Sequence, residues 1–212
     1  ANWRVYHQSL GATKNLLLDE NNAALTQTSM WNDTEPTETV FTVGNDGGTN
    51  SNTAAYEYVA YVFAHDDSDE SVIKCGSYTG NGKTFREILT SKLDKSVRAG
   101  EGPEIDLGFE PQWVMIKSST IAKDWNIFDA ARGIVTGGAD SILVANESSA
   151  ESVSSSASNS HIEVLPNGFK LANNSSQTND PGQTYIYMAI RRPNKPAGEF
   201  KPEELFAVTP ST

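Results

Sequence analysis

The chain has 212 residues, and 16 lysines and arginines stand against 27 aspartates and glutamates, which gives a formal net charge of −11 at pH 7. This acidic balance argues against a surface that follows the phosphates of nucleic acid, because such a surface needs clustered cations. The only cysteine, Cys75, excludes an internal disulfide and cannot form a thiolate metal site by itself. No apolar run approaches the roughly 18 residues of a membrane-spanning helix. Composition therefore leaves one domain or two small ones and indicates no function.

The two ends of the sequence lead to separate predictions about what adjoins the β-rich body. The sequence opens Ala1-Asn2-Trp3 in strand-like alternation, without an initiator methionine or the pattern of a signal peptide, so we expect a piece of a longer polypeptide. Residues 199–212 contain proline and glutamate and are predicted to form a C-terminal arm or linker.

The body of the chain is predicted to be all-β. Short runs rich in β-branched and aromatic residues recur between clusters of Asn, Gly, Asp, Ser and Pro, which is the pattern of strands joined by turns. In chain order the predicted strands are 4–7, 16–18, 39–43, 56–64, 71–78, 112–118, 125–129, 142–145, 161–165, 169–173 and 184–192.

The clearest local signal is a hairpin formed by residues 161–165 and 169–173. Asn167-Gly168 between them supplies the two positive φ angles of a type I′ turn, whose twist matches that of the flanking strands. Counting outward from this turn places Val164 opposite Leu171 on one face of the hairpin.

Two predicted strands differ from the others because both of their faces are apolar. In 56–64 and in 184–190, both alternating sets of side chains are largely apolar, so both faces should be covered. A buried helix is the alternative, but the β-branched and aromatic content favours strands.

One segment has the spacing of a helix. Within residues 84–97, apolar positions recur three and four apart, and Gly100 and Gly102-Pro103 then end the pattern, so we predict a short helical insertion. The apolar positions are Phe85, Ile88, Leu89, Leu93 and Val97. The serine-rich residues 148–160 have too little apolar content to pack and are predicted to be a mobile loop.

An internal repeat organises the chain. Four segments recur in one order with nearly constant spacing, although two unrelated all-β stretches with similar strand residues are the alternative. We predict a first β repeat at 1–70, lacking its N-terminal strands, and a second at 71–198. The missing strands are expected from upstream polypeptide or from a neighbouring chain. The matching segments are 2–11 with 124–133, 16–24 with 142–150, 41–45 with 169–173, and 56–60 with 185–189.

Two polar motifs favour structural interpretations over binding. Gly80-Asn81-Gly82-Lys83-Thr84 precedes the predicted helix, but a phosphate-binding loop needs glycine where Ser77 stands. Residues 65–70 contain four acids, and calcium prefers such oxygen ligands. They lack the spacing of an EF-hand, so a solvated turn is favoured.

The sequence predicts no enzyme, no catalytic residue, no cofactor and no metal. Glu57 and Glu163 lie in predicted strands, and a glycosidase needs two carboxylates about 5–10 Å apart, but nothing in the sequence brings them together. His7, His65 and His161 lie in separate elements, which gives a zinc site little support. No G-x-S-x-G nucleophile motif occurs.

The tryptophans supply the only candidate ligand-binding residues. Trp3, Trp113 and Trp125 lie in predicted strands and are expected in the core, whereas Trp31 lies in a loop where exposure and burial are equally expected. An exposed indole can stack on a sugar, so Trp31 and its neighbours Asn32 and Asp33 are the candidate ligand-binding residues.

Several motifs resemble a β-rich module of marine bacteriophage virion proteins, which occurs, often in tandem, in tail-fibre-like and other particle-surface proteins. The resemblance implies a lectin-like β-sandwich in a virion appendage and no particular receptor. This sequence departs from the module in its longer insertion at 84–97 and its absent upstream half. The motifs are W-x-V-Y-H at 3–7, W-N-x-T-x-P-T at 31–37, Y-V-A-Y-V-F-A at 58–64, G-S-Y-T-G-N-G at 76–82, G-F-x-P-x-W-V-M-I-K at 108–117, D-W-x-I-F-D at 124–129 and N-G-F-K at 167–170.

The predicted fold is thus an all-β, antiparallel β-sandwich, jelly-roll or lectin-like, with an internal duplication and one short helical insertion. The predicted function is a non-enzymatic structural module of a phage tail fibre or other virion-surface appendage, facing a receptor such as a host surface glycan. Phage fibres are commonly trimeric, so the resemblance implies a homo-oligomer, with a trimer as the leading expectation. Its contacts are expected to cover the second faces of 56–64 and 184–190, and it is expected to bind other virion proteins. Neither nucleic-acid binding nor membrane insertion is expected. The alternatives are a carbohydrate-binding lectin-like domain, a glycoside hydrolase and a capsid decoration protein.

Overall fold

The computed structural model describes residues 2–51, 53, 56–68, 70–83, 102–134, 140–153 and 161–192. The predicted helix at 84–97, the arm at 199–212 and residues 154–160 of the predicted serine-rich loop lie outside these ranges. Within them the chain forms strands and one 3-10 turn, Gln8–Leu10, and no helix there has the length and apolar character to cross a membrane. The strands are β1 Arg4–Val5, β2 Lys14–Leu17, β3 Leu25–Thr26, β4 Ile73–Thr79, β5 Glu104–Asp106, β6 Pro111–Ser118, β7 Asn126–Asp129, β8 Ser141–Val144, β9 Ser152–Val153, β10 Ile162–Leu165, β11 Gly168–Leu171 and β12 Thr184–Arg191.

The strands form three antiparallel sheets. A six-stranded central sheet has the order β4-β12-β6-β7-β8-β9, and two three-stranded sheets have the orders β1-β2-β3 and β10-β11-β5. The all-β, antiparallel class predicted from the alternating pattern is confirmed. Strands β3 and β5 were not predicted, because two or three residues are too few to show an alternation. Strand β9 lies within the predicted mobile loop 148–160, so that prediction is wrong at Ser152–Val153, which pair with β8.

The main core lies between the central sheet and the β10-β11-β5 sheet, which makes these two sheets a sandwich. Alternate residues of β12 face this core, while β11 and β5 supply the opposing layer. Two ring pairs fill it: Tyr78 stacks on Tyr185, and Phe169 meets Tyr187 edge to face. The fully or nearly buried members are Ile105, Leu107, Phe109, Val114, Ile116, Phe128, Ile142, Ile162, Phe169, Leu171, Tyr185, Tyr187 and Ala189.

The opposite face of the central sheet is covered by the β1-β2-β3 sheet. Leu16 of β2 packs against Ile186 of β12 and Trp125, with Met115 of β6 at the margin. The Trp125 indole nitrogen also donates to the Leu17 carbonyl at 2.7 Å. Both faces of β12 are therefore covered, as its sequence predicts, but the second face is covered by the chain's own N-terminal sheet rather than by another copy.

Residues 56–64 and 39–43 are not strands, so these two predictions are wrong. None of the described backbone hydrogen bonds involves 56–64, and its large side chains are exposed, for example Val59 at 73% and Tyr61 at 71%. Alternation reports what the side chains prefer, but a strand also needs a neighbouring strand with free backbone groups. No described segment lies beside 56–64 in that way.

The β10–β11 hairpin is confirmed, but its predicted register is wrong by two residues. Val164 pairs with Phe169, and Leu171 pairs with Ile162, so Pro166 and Asn167 form the loop. Neither Asn167 nor Gly168 has a positive φ. Proline fixes its φ near −65°, which suits the first loop position and displaces the expected Asn-Gly turn. Gly168 has a different role, since a Cβ there would lie 1.9 Å from the Ile105 carbonyl oxygen on β5.

The β1-β2-β3 and β7-β8-β9 meanders have the same internal register. Trp3 N–H donates to the Asp19 carboxylate, and Trp125 N–H donates to the Asn146 side chain, in the same place. This register places β2 one residue away from the sequence alignment, so that Leu16 matches Leu143. The domain boundaries at 70 and 198 stay predictions. The matching pairs are Arg4–Leu17 with Asn126–Val144, Val5–Leu16 with Ile127–Leu143, Lys14–Thr26 with Ser141–Val153, and Asn15–Leu25 with Ile142–Ser152.

Gly168→Ala tests the close approach of β11 and β5. The added Cβ meets backbone that cannot rotate away, so we expect a loss of about 1–3 kcal/mol in the free energy of unfolding, measured by urea denaturation. Gly47→Ala is the control, because a Cβ at Gly47 meets nothing within 4 Å. Its effect should stay below about 1 kcal/mol. Equal effects of the two substitutions would contradict the packing described here.

Candidate functional site

The candidate ligand-binding loop places Trp31 in the interior. The indole is 8% exposed, packs with Ala12 and Met30, meets Tyr6 edge to face, and donates to the Lys14 carbonyl at 3.0 Å. The buried contacts and the satisfied N–H explain why this loop tryptophan is not on the surface. A sugar therefore cannot stack on Trp31 in this structure.

Trp3 shows the opposite departure from expectation. It was expected in the core, yet it is 51% exposed and its ring lies 6.0 Å from that of Tyr61. Trp125, at the matching place in the second meander, is 3% exposed. The difference arises because Trp125 is enclosed between two sheets, whereas Trp3 precedes β1 at the edge of a three-stranded sheet.

Asn32 and Asp33 remain on the surface of the same loop. Both are exposed and both have left-handed backbone, with φ of 54° and 44°. Asn and Asp adopt this conformation more readily than other non-glycine residues, because their short polar side chains can form local hydrogen bonds there. Neither side chain has a hydrogen-bond partner among the described residues. The loop thus presents one amide and one carboxylate that are free to contact a polar ligand.

The loop is held by contacts on both sides. Asp33 N–H donates to the Thr28 carbonyl at 3.1 Å, and Thr34 N–H donates to the Trp31 carbonyl at 3.2 Å. The Glu35 carboxylate accepts from the Tyr6 hydroxyl and from Ala12 N–H. Burial, and next the hydrogen bond and charge of Glu35, raise the pKa of Tyr6, so this hydroxyl stays protonated and bound. Asn32 and Asp33 therefore lie on a rigid support.

The N–H groups of the glycine-rich loop that the sequence compares with a phosphate-binding loop are occupied by contacts within the chain. Its N–H groups are already donated within the chain: Gly80 to the Gln183 carbonyl, Asn81 to the Asn179 side chain and Gly82 to the Asn179 carbonyl. A phosphate cradle needs such groups free. The motif instead docks the segment before β12, and a Cβ at Gly80 would lie 2.3 Å from the Asp180 carbonyl oxygen.

The acidic turn and the two strand carboxylates considered in the sequence have different surroundings in the structure. Asp66 accepts from the N–H and the hydroxyl of Ser68, which is an ordinary exposed turn. Glu163 is 7% exposed and lies 3.6 Å from the Lys170 ammonium on β11, whereas Glu57 lies in the exposed segment 56–64. Across the described ranges, no group of three His, Cys, Asp or Glu side chains could hold a metal ion.

Burial shifts the two histidines outside the acidic turn toward their neutral forms. It lowers the pKa of His7, whose Nε2 lies 3.1 Å from the Tyr187 carbonyl, and it lowers the pKa of His161 to about 4. His161 lies beside Phe128, and His7 follows β1. These two uncharged rings sit in separate packed positions, so they form no pair.

Among the described residues, Lys117 is a fully buried lysine, which the sequence did not predict. The side chain is fully buried on β6, where its ammonium donates to the carbonyls of Ser118 at 2.7 Å and Asn21 at 3.3 Å and lies 6.0 Å over the Trp125 ring. Burial lowers its pKa to about 8, and the charge of Asp124 opposes that shift. A lysine on the same alternating set as Trp113 and Met115 was the available signal. Its hydrogen bond to the Asn21 carbonyl, which lies between β2 and β3, links the central sheet to the N-terminal sheet.

The pH dependence of stability tests this placement of Lys117. With a folded pKa of about 8 against an ordinary value of 10.5, the unfolded chain binds more protons above pH 8. Lys117 should therefore contribute a rise of about 1 kcal/mol to the free energy of unfolding between pH 8 and 9. Cys75, whose pKa burial raises to about 11, contributes an opposite slope that begins near pH 8, so the Lys117 contribution is measured as the difference between the wild type and a variant without this lysine.

Lys117→Met should abolish that rise, since it removes the titrating group. Lys14→Met is the matched control, because Lys14 is exposed on β2 and its loss should leave the rise in place. Urea denaturation at pH 8.0, 8.5 and 9.0 measures all three proteins. A rise that persists in Lys117→Met would contradict the buried lysine as its source.

Comparisons with known proteins give one match. Residues 1–193, which include both meanders and the candidate loop, match the family described as Domain of unknown function (DUF7483). No curated protein and no solved structure matches the chain. Since the match spans most of the sequence, the chain belongs to the DUF7483 family.

Proposed function

We propose that the chain is a non-enzymatic structural module on the surface of a virus particle, in a phage tail fibre or a similar appendage. One observation carries the proposal: several motifs that resemble the phage module are used for internal contacts. Gly80, Asn81 and Gly82 dock the loop before β12, Lys117 joins two sheets, and Trp125 is enclosed between them. Motifs used for packing favour a scaffold over a catalyst.

The expected partners follow from the same resemblance. The expected homo-oligomer, with a trimer as the leading stoichiometry, would contact other virion proteins and present its loops to a host surface. A capsid decoration protein is a variant of this function at another place on the particle. The net charge of −11 supports a role without nucleic acid, because a phosphate-binding surface needs cations.

Immunogold electron microscopy of purified particles tests this proposal. An antibody raised against the chain should label an external appendage or the capsid surface at regular positions. Pre-absorbing the antibody with the purified chain is the control and should abolish the label. Particles without label, together with all of the chain in the particle-free fraction, would contradict a virion role.

A lectin is the second candidate, favoured by the surface loop that presents Asn32 and Asp33. Hydroxyl-rich ligands suit such free amide and carboxylate groups. Trp31→Ala is a poor test, because truncating a buried tryptophan costs about 3–5 kcal/mol and threatens the fold.

Asn32→Gly and Asp33→Gly are the better variants for a glycan array. Glycine removes each side chain and tolerates the left-handed backbone. If the loop binds glycans, both variants should lose at least tenfold in affinity, whereas Asn22→Gly in another exposed turn should bind as the wild type does. Unchanged binding in both variants would exclude this loop, and release of reducing sugar would favour the hydrolase instead.

A further inference from the structure

Segment 56–63, with Trp3 beside it, forms an exposed apolar surface, which we call the apolar strip. Its large side chains are between 46% and 73% exposed, and the Trp3 ring lies against Tyr61. Glu57 is the only charged residue between positions 56 and 64. The exposed members are Tyr56, Tyr58, Val59, Tyr61, Val62 and Phe63.

The repeat shows what such a segment does when it is covered. Residues 56–60 match 185–189 of β12, with Tyr58 at the place of Tyr187 and Ala60 at that of Ala189. In β12 these residues are paired with β4 on one edge and with β6 on the other, and both are nearly or fully buried. The apolar strip therefore has the side chains of a central strand without the neighbours of one.

The exposed area matches what an interface needs. Five aromatic and two valine side chains at these exposures leave on the order of 800 Å² of apolar surface, taking 150–250 Å² for each aromatic side chain. Stable protein–protein interfaces bury about 800 Å² per partner, whereas the largest apolar patch of an ordinary monomer is about 300–600 Å². The apolar strip alone is large enough to support a specific association.

The low charge of the apolar strip makes it the place where a second copy can approach. Each chain has a net charge of −11, so most approaches of one copy to another are repelled. The apolar strip carries a single charge, and like surfaces can meet there by burying apolar area on both sides with little repulsion. We propose that the apolar strip is the contact surface between copies of this chain in solution.

The inference deepens the proposed function by naming the surface through which the expected oligomer forms. The contact between copies does not depend on the proposed function; only the location of the oligomer in a virus particle does. Immunogold labelling tests the particle, and the solution mass of the purified chain tests the apolar strip, so either can fail alone.

Val62→Asp is the decisive variant, and Val153→Asp is its control. Both valines are exposed, Val62 at 72% and Val153 at 62%, but Val153 lies on β9, away from the apolar strip in sequence. Sedimentation equilibrium from 1 to 100 µM should show a concentration-dependent oligomer for the wild type and for Val153→Asp. Val62→Asp should raise the dissociation constant at least tenfold, because burying an unpaired carboxylate is costly.

Three results would overturn the proposal. The first is a wild type that stays monomeric throughout the concentration range. The second is a Val62→Asp variant that associates as tightly as the wild type, and the third is an equal increase of the dissociation constant in Val62→Asp and Val153→Asp. A synthetic peptide of residues 108–120, which contains β6, tests whether the apolar strip binds a separate strand instead of a second copy of the chain. If it binds a monomeric chain and Val62→Asp removes that binding, the apolar strip takes a foreign strand rather than a second copy.

Discussion

Strand β12 must bury both of its faces, and the rest of the fold depends on that constraint. Tyr185 and Tyr187 face the core shared with the β10-β11-β5 sheet, while Ile186 faces Leu16 of the N-terminal sheet. Its two edges are paired with β4 and β6 over most of its length. Because a strand with two apolar faces needs cover on each side, the three sheets are arranged in three layers with β12 in the middle one. The buried Lys117 and the enclosed Trp125 both lie where the N-terminal layer meets the central one, and they join these layers with hydrogen bonds to carbonyls of residues 17–21.

The same constraint is unmet at 56–64. This segment repeats the pattern of β12, and the meanders beside the two copies share their register. The backbone N–H of Trp3 donates to the Asp19 side chain, as that of Trp125 donates to the Asn146 side chain. Among the described residues, 184–191 is paired with a strand on each edge, whereas 56–64 is paired with none. The exposed Trp3 is part of the same difference, since its counterpart Trp125 lies between two sheets. The proposed contact between copies at the apolar strip would connect this difference between the repeats to the expected oligomer.

Much of the fold could be predicted from the sequence, and the errors share a cause. The hairpin, the strands near 112–129 and the two-faced β12 were predicted, because their patterns are local and the chain supplies their partners. The pattern of 56–64 is equally clear, but no local signal shows whether a partner strand exists. The predicted register of the β10–β11 hairpin was wrong by two residues because Pro166 displaced the expected turn. The burial of Trp31 was left open, and the expected burial of Trp3 was wrong, because enclosure depends on which sheets meet. The burial of Lys117 was not predicted, because lysine is normally exposed.

The central proposal is that the apolar strip, residues 56–63 with Trp3, is the contact surface between copies of this chain. Amide hydrogen exchange followed by mass spectrometry tests it most directly, with β12 as the internal reference. In dilute solution, peptides covering 184–191 should be strongly protected and peptides covering 56–64 should exchange within seconds; at concentrations where the chain associates, 56–64 should become protected as well. Protection of 56–64 equal to that of β12 in the dilute monomer, or none in the oligomer, would contradict the account.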